Sequence, residues 1–155
     1  IDSGQPCLVF VDCAPSPDAF SRMLPLASEE TRGRLIVVFG SAGDRDREKR
    51  AVQGSIADRY ADVIVLTDED PRTEDRLAVL EEIASGCTKH RRGDDLFLIP
   101  DRHEAIRHAC GGAEAGDTVL LLGKGHERSI EYSDRSEEWN EAKVATEVLG
   151  ELGYQ

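Results

Sequence analysis

Five short apolar runs, separated by stretches with helical periodicity, constrain the fold of this chain more than any other feature. The runs lie at residues 7–11, 35–39, 63–66, 96–99 and 118–122. Short apolar runs that contain β-branched side chains are typical of strands covered on both faces. Their alternation with helices predicts βαβ units, and therefore an α/β, Rossmann-like fold with a mostly parallel sheet and helices on both faces.

The segments between these runs carry apolar residues every three or four positions. This spacing places apolar side chains on one face of a helix. The patterns are Val52, Ile56 and Tyr60; Leu77, Leu80 and Ile83; Ile106, Ala109 and Cys110; and Val144, Val148 and Leu152. Pro17 followed by Asp18 is typical of a helix start and predicts one more helix after the first strand.

Length and composition limit the class of protein. We expect the 155 residues to form one domain, 1–155, of a longer chain, because the sequence begins with Ile1 rather than methionine. The net charge of −12 opposes binding to nucleic acid. No apolar run approaches the roughly 20 residues that cross a bilayer, and no signal segment precedes the first strand, so no membrane association is expected. Cys7, Cys13, Cys87 and Cys110 form no CxxC pair, which favours reduced thiols in a cytoplasmic protein.

Polar loops follow four of the five predicted strands, at residues 12–18, 40–50, 67–72 and 123–127. The carboxyl ends of parallel strands share one edge of the sheet, where open α/β sheets bind ligands. Turn formation alone would explain one such loop. Four loops that combine glycine, arginine and acidic residues favour a binding site.

Two kinds of site are not expected within this chain. Neither G-x-x-x-x-G-K-[ST] nor G-x-G-x-x-G occurs, so the phosphates of any nucleotide are expected to bind another domain. Neighbouring side chains on extended backbone point apart, so His126 and Glu127 do not predict a metal site. We interpret His90, His103 and His108 as solvent-facing residues rather than ligands.

Three of the loops resemble motifs of one family. Residues 43–50 are similar to G-D-R-D-x-x-K-R, residues 68–72 to D-x-N-P-R, and residues 123–127 match G-K-G-H-E without change. In this order they resemble the C-terminal domain of the Mur ligases, and most of all the MurE type, over nearly the whole chain.

The resemblance implies an ATP-dependent ligase that adds an amino acid to UDP-N-acetylmuramoyl-L-alanyl-D-glutamate in peptidoglycan synthesis. The added amino acid would be diaminopimelate, lysine or a similar compound. ATP would convert the substrate carboxylate into an acyl phosphate, which the incoming amine attacks. The UDP-substrate domain and the central ATPase domain are expected elsewhere in the same protein. The central domain would bind most of the ATP and Mg²⁺, so this domain alone is expected to be inactive.

The resemblance also implies roles for individual residues. Arg45 and Arg72 would grip the carboxylate of the incoming amino acid, since a guanidinium matches a carboxylate in shape and charge. Gly123 and Glu127 would hold an ammonium at the far end of its side chain, and Asp70 belongs to the same pocket.

Two residues are implied for the nucleotide. Asp12 would contact the ATP ribose, and Lys49 would contact phosphate or pair with a charge. The family pattern D-Y-A-H after the first strand has Cys13 in place of tyrosine and Pro15 in place of histidine. Proline has no side-chain donor, so any nucleotide contact made by that histidine is lost.

Asp70 is a further departure, because the diaminopimelate-adding enzymes have asparagine there. An anion beside a substrate carboxylate costs energy unless Arg72 or Arg45 neutralises it. The hypothesis is that the added amino acid is not meso-diaminopimelate, or that Asp70 meets an amine. Two other readings stay open: a divergent Mur-like ligase of another pathway, and a non-catalytic α/β binding module.

Overall fold

The computed structural model describes residues 1–14 and 16–154, which form a five-stranded parallel sheet, five helices and a small hairpin. The sheet strands are β1 (Leu8–Asp12), β2 (Leu35–Phe39), β3 (Val63–Leu66), β4 (Leu96–Leu98) and β5 (Thr118–Leu122). The helices are α1 (Pro17–Glu30), α2 (Glu48–Tyr60), α3 (Arg76–Ala84), α4 (Arg102–Gly112) and α5 (Glu141–Glu151). The strand order is β1-β5-β2-β3-β4.

Helices cover both faces of this sheet, which confirms the predicted architecture. Helices α1, α2 and α3 pack on one face through residues such as Phe20, Ala57 and Ile83. Helices α4 and α5 pack on the other face through residues such as Ile106 and Val148. The chain adds β2, β3 and β4 in one direction across the sheet and then returns, so that β5 lies between β1 and β2. Because the connections between parallel strands are right-handed, the helix of this return connection lies on the opposite face.

Side-chain caps start four of the five helices, which fixes where each begins. Ser16 caps α1, Asp75 caps α3, Asp101 caps α4 and Asn140 caps α5, each by accepting a hydrogen bond from a backbone N–H of the first turn. Such a cap stabilises a helix by about 1 kcal/mol. The predicted start at Pro17 is confirmed.

The hairpin of β6 (Ser129–Glu131) and β7 (Ser136–Glu138) was not predicted. Its strands have three residues each, which is too short for alternation of apolar and polar residues to be recognised. It follows the 123–127 loop directly, and Ile130 anchors it in the interior at 1% exposure. The hairpin therefore lies directly beside the 123–127 loop.

The interpretation of His90 as solvent-facing was wrong, because its side chain is only 7% exposed. Its Nδ1 lies 2.6 Å from Asp58 Oδ1 and its Nε2 lies 2.9 Å from the Ala61 carbonyl oxygen. The polar sequence around His90 gave no sign of this burial, because the burial depends on the contact with Asp58 of α2. His103 is partly exposed and His108 is exposed. Within the described residues, no helix has both the length and the apolar character needed to span a membrane.

Candidate functional site

Strands β1, β2, β3 and β5 run parallel, so the four polar loops that follow them meet at one edge of the sheet. Backbone hydrogen bonds tie these loops to one another. The Gly123 N–H donates to the Asp12 carbonyl oxygen at 3.1 Å, and the Gly43 N–H donates to the Asp70 carbonyl oxygen at 2.6 Å. The first pair joins the loops after β1 and β5, and the second joins those after β2 and β3.

Gly43 is required where the second and third loops touch. A Cβ atom at this position would lie 1.8 Å from the Pro71 carbonyl oxygen, far inside van der Waals contact. Arg72 reinforces the same contact, because its Nη1 donates to the Gly43 carbonyl oxygen at 2.8 Å. The two loops that carry Arg45 and Arg72 are thus held together.

Lys124 lies at the centre of the site and is fully buried, at 0% exposure. Its Nζ donates to Asp70 Oδ1 at 2.9 Å and to Glu127 Oε2 at 2.8 Å. Asp70 Oδ1 also accepts the backbone N–H of Glu131 at 2.9 Å. Lys124 therefore links the loop after β3 to the loop after β5.

This arrangement accounts for the negative charge of Asp70. The ammonium that Asp70 meets within the chain belongs to Lys124, while the guanidinium of Arg72 lies 4.0 Å from its other oxygen. An ammonium of the chain itself, shared with Glu127, therefore compensates part of the charge of Asp70.

The remaining residues implied for amino-acid binding lie at the same edge. Arg45 is exposed, and no ion pair of residues 1–14 and 16–154 involves it. Glu127 is half-exposed and uses one carboxylate oxygen on Lys124. Gly123 directly follows β5 and lies close to the carboxyl group of Glu69, since a Cβ atom there would lie 3.3 Å from its carboxyl carbon.

The two residues implied for the nucleotide lie on either side of β5, since Asp12 ends β1 and Lys49 is in the helix that follows β2. Asp12 is exposed at the end of β1, and its Oδ1 accepts the Cys13 N–H at 2.6 Å. Lys49 lies in the first turn of α2 and is partly buried. Cys13 Sγ is 3.8 Å from His126 Nδ1, which places the Cys13 departure against the 123–127 loop. Pro15 lies outside the described residues.

Asp12 and the possible metal ligands were compared with what a nucleotide and its metal ion would need. The exposed carboxylate of Asp12 has an oxygen available for a sugar hydroxyl. No group of three or more His, Cys, Asp or Glu residues in the described part of the chain could hold a metal ion.

Sequence reasoning missed a buried ion pair that supports the site from beneath. Arg102 and Glu141 are both fully buried and form two hydrogen bonds, of 2.9 and 2.5 Å. The Arg102 guanidinium also donates to the carbonyl oxygens of Asp68 and Leu122, at 2.8 and 3.0 Å. These carbonyls lie at the carboxyl ends of β3 and β5, so one arginine fixes the origins of two site loops. Nothing in the sequence separates Arg102 from a surface arginine at a helix start.

Burial raises the pKa of two acidic residues in the third loop. For Asp68, hydrogen bonding and charge from Arg76 act in the opposite direction. Burial raises the pKa of Glu69 as well, with Arg102 and Lys124 acting in the opposite direction. Glu69 was not predicted to belong to the site, although its carboxyl group lies against Gly123.

Comparison with known proteins was made on sequence and on structure. A UDP-N-acetylmuramyl-tripeptide synthetase of Roseiflexus sp. (strain RS-1) is 51% identical over 156 residues, covering 99% of this chain and 31% of the relative. A UDP-N-acetylmuramoyl-L-alanyl-D-glutamate–2,6-diaminopimelate ligase of Syntrophomonas wolfei is 43% identical over 149 residues, covering 96% and 30%. A solved structure of a ligase with the same name superposes with a TM-score of 0.88 at 31% identity, covering 97% of this chain and 31% of that one.

The match is to one part of these longer proteins. The chain spans between 28% and 31% of the length of the first three curated relatives it matches. The family described as "Mur ligase, glutamate ligase domain" matches residues 1–125, which include all of the implied site residues except Glu127. The predicted resemblance is confirmed, and the chain belongs to the Mur ligase family.

Proposed function

We propose that this chain is the C-terminal domain of an ATP-dependent ligase that adds an amino acid to UDP-N-acetylmuramoyl-L-alanyl-D-glutamate. The full-length protein would contain two further domains, one for the UDP-linked substrate and one for ATP. Similarity to proteins about three times as long supports this division. The observation that carries the proposal is that Lys124 bonds both Asp70, in the loop of Arg72, and Glu127, in the loop after β5, at one sheet edge.

In this proposal Arg45 and Arg72 bind the carboxylate of the incoming amino acid. Arg72 uses Nη1 on the Gly43 carbonyl oxygen, which leaves its other N–H groups for a ligand. Glu127 uses Oε2 on Lys124, which leaves Oε1 and the half-exposed face of the carboxylate for an ammonium. A cation at one end and a carboxylate at the other suit an amino acid with a second amino group.

The nucleotide would be shared between domains. ATP supplies the phosphoryl group that activates the substrate carboxylate, and Asp12 would accept a hydrogen bond from its ribose. Lys49 would offer a positive charge at the start of α2. Mg²⁺ and most of the triphosphate belong to the central domain in this proposal. The four free thiols support the cytoplasmic location predicted from the sequence.

The test is amino-acid-dependent release of phosphate by the full-length protein. The protein is supplied with ATP, Mg²⁺ and UDP-N-acetylmuramoyl-L-alanyl-D-glutamate, and then with meso-diaminopimelate, lysine or ornithine. We expect one diamino acid to give a ligated product detectable by mass spectrometry. Absence of product with the whole panel would overturn the proposal, and so would ATP turnover by residues 1–155 alone.

A further inference from the structure

Lys124 is a fully buried lysine with a compensated charge. Its side chain has 0% exposure, and both of its ion pairs are shorter than 3 Å. A buried ammonium is costly unless it is paired and hydrogen-bonded, and Lys124 meets both conditions.

The two partners of Lys124 differ in their surroundings. Asp70 is held on the inner side, with its side chain 11% exposed and a second hydrogen bond from the Glu131 N–H. Glu127 is on the outer side, with its side chain 51% exposed. Lys124 thus joins a fixed carboxylate to one that faces the solvent.

A half-exposed glutamate has several rotamers available when it lacks a partner. Ordering such a side chain on ligand binding costs conformational entropy. The ammonium of Lys124 restricts Glu127 before any ligand arrives, and the Glu127 N–H donates to the Lys124 carbonyl oxygen at 2.8 Å to close the same turn. Both the side chain and the backbone of Lys124 therefore orient Glu127.

We propose that Lys124 is a positioning residue for amino-acid binding. Asp70 holds the ammonium of Lys124 in place, and this ammonium in turn holds one carboxylate oxygen of Glu127. The free carboxylate oxygen of Glu127 is then already placed for the ammonium of the incoming amino acid. This inference rests on the proposed ligase function.

The test uses the full-length protein and a charge-balanced variant. Lys124→Met alone leaves Asp70 buried without its partner and endangers folding. The double variant Lys124→Met/Asp70→Asn removes one charge of each sign. We expect it to raise the KM for the amino acid roughly tenfold, the scale of one charge-assisted hydrogen bond. The KM for ATP should stay within about twofold of wild type.

Two single variants change the two partners of Lys124 one at a time. Asp70→Asn keeps hydrogen-bond acceptors for Lys124 and Glu131 but removes the charge that holds Lys124, so we expect it to raise the KM for the amino acid, by less than the double variant does. Glu127→Asp keeps the negative charge but withdraws it from Lys124, and it leaves the core intact. We expect it to raise the same KM roughly tenfold. Lys89→Met, a change at an exposed lysine, is the matched control.

The outcomes are distinct. A wild-type protein without amino-acid-dependent turnover overturns the ligase proposal and this inference with it. An active wild type whose amino-acid KM is unchanged in Glu127→Asp, or in a folded double variant, overturns the inference alone.

Discussion

Single residues at this sheet edge adopt conformations that their neighbours must hold in place. Arg72 has a φ of 52°, in the left-handed region that side chains with a Cβ seldom occupy. Such a conformation costs about 1 kcal/mol or more. The Arg72 N–H donates to the Glu131 carbonyl oxygen at 3.0 Å, and Nη1 donates to Gly43. Glu131 therefore holds the backbone of Arg72, and Gly43 holds its guanidinium.

Gly43→Ala should destabilise the chain by about 1–3 kcal/mol, because its methyl group would overlap the Pro71 carbonyl oxygen. Urea unfolding followed by circular dichroism measures this change. Gly150→Ala in α5 is the matched control, since a Cβ atom there meets nothing within 4 Å. It should be neutral or stabilising by up to about 1 kcal/mol. Equal stability of wild type and Gly43→Ala would contradict the contact between the two loops.

At the level of elements, a buried arginine joins α2 to α3 and to the loop between β3 and α3. Arg50 is fully buried, and its guanidinium donates to Glu74 at 2.9 and 2.6 Å and also to Glu82. Hydrogen bonding from Arg50 lowers the pKa of Glu74 to about 2. The pair positions the segment that follows Arg72.

This ion pair predicts a dependence of stability on pH. The pKa of Glu74 is lower in the folded state than in the unfolded state, so its contribution is present above about pH 4.5 and is lost as the pH falls towards 2. Glu74→Gln should lower the free energy of unfolding at pH 7 by about 2 kcal/mol, and the difference from wild type should shrink over that range. Glu147→Gln on the exposed part of α5 is the control. A difference independent of pH would contradict the ion pair.

The elements themselves could largely be predicted from the sequence. Apolar runs and helical spacing located five strands and the helices between them, because burial on both faces leaves a strong pattern. The predicted 96–99 strand ends one residue earlier, at Leu98. The hairpin of β6 and β7 could not be predicted, because its short, mostly polar strands contain no apolar run. Lys124 and Arg102 could not be placed either, because a buried charge looks the same in sequence as a solvated one until its tertiary partners are known.

Across the whole molecule, the two layers of helices leave three of the four cysteines inaccessible. Cys7, Cys87 and Cys110 are 4–5% exposed, whereas Cys13 is partly exposed. Burial raises the pKa of Cys87 and that of Cys110 to about 12, which further suppresses their thiolate forms at neutral pH.

The native chain should therefore react quickly with one equivalent of Ellman's reagent at pH 8 and with three more after unfolding. Cys13→Ser should abolish the fast reaction and leave the slow one unchanged. Fast reaction of a second thiol would show that one of the two helical layers opens readily. Absorbance of the coloured thiolate that the reagent releases follows both phases.

The hydrogen bonds from Arg102 to the ends of β3 and β5 have a mechanical consequence. Both loop origins are attached to one guanidinium that Glu141 of α5 holds in the interior. If the proposed ligase has further domains, a rotation of this domain relative to them would carry the loops after β3 and β5 together, without changing the gap between them. The proposed amino acid could then bind before such a rotation and move with it, so that binding and delivery become separate events in time.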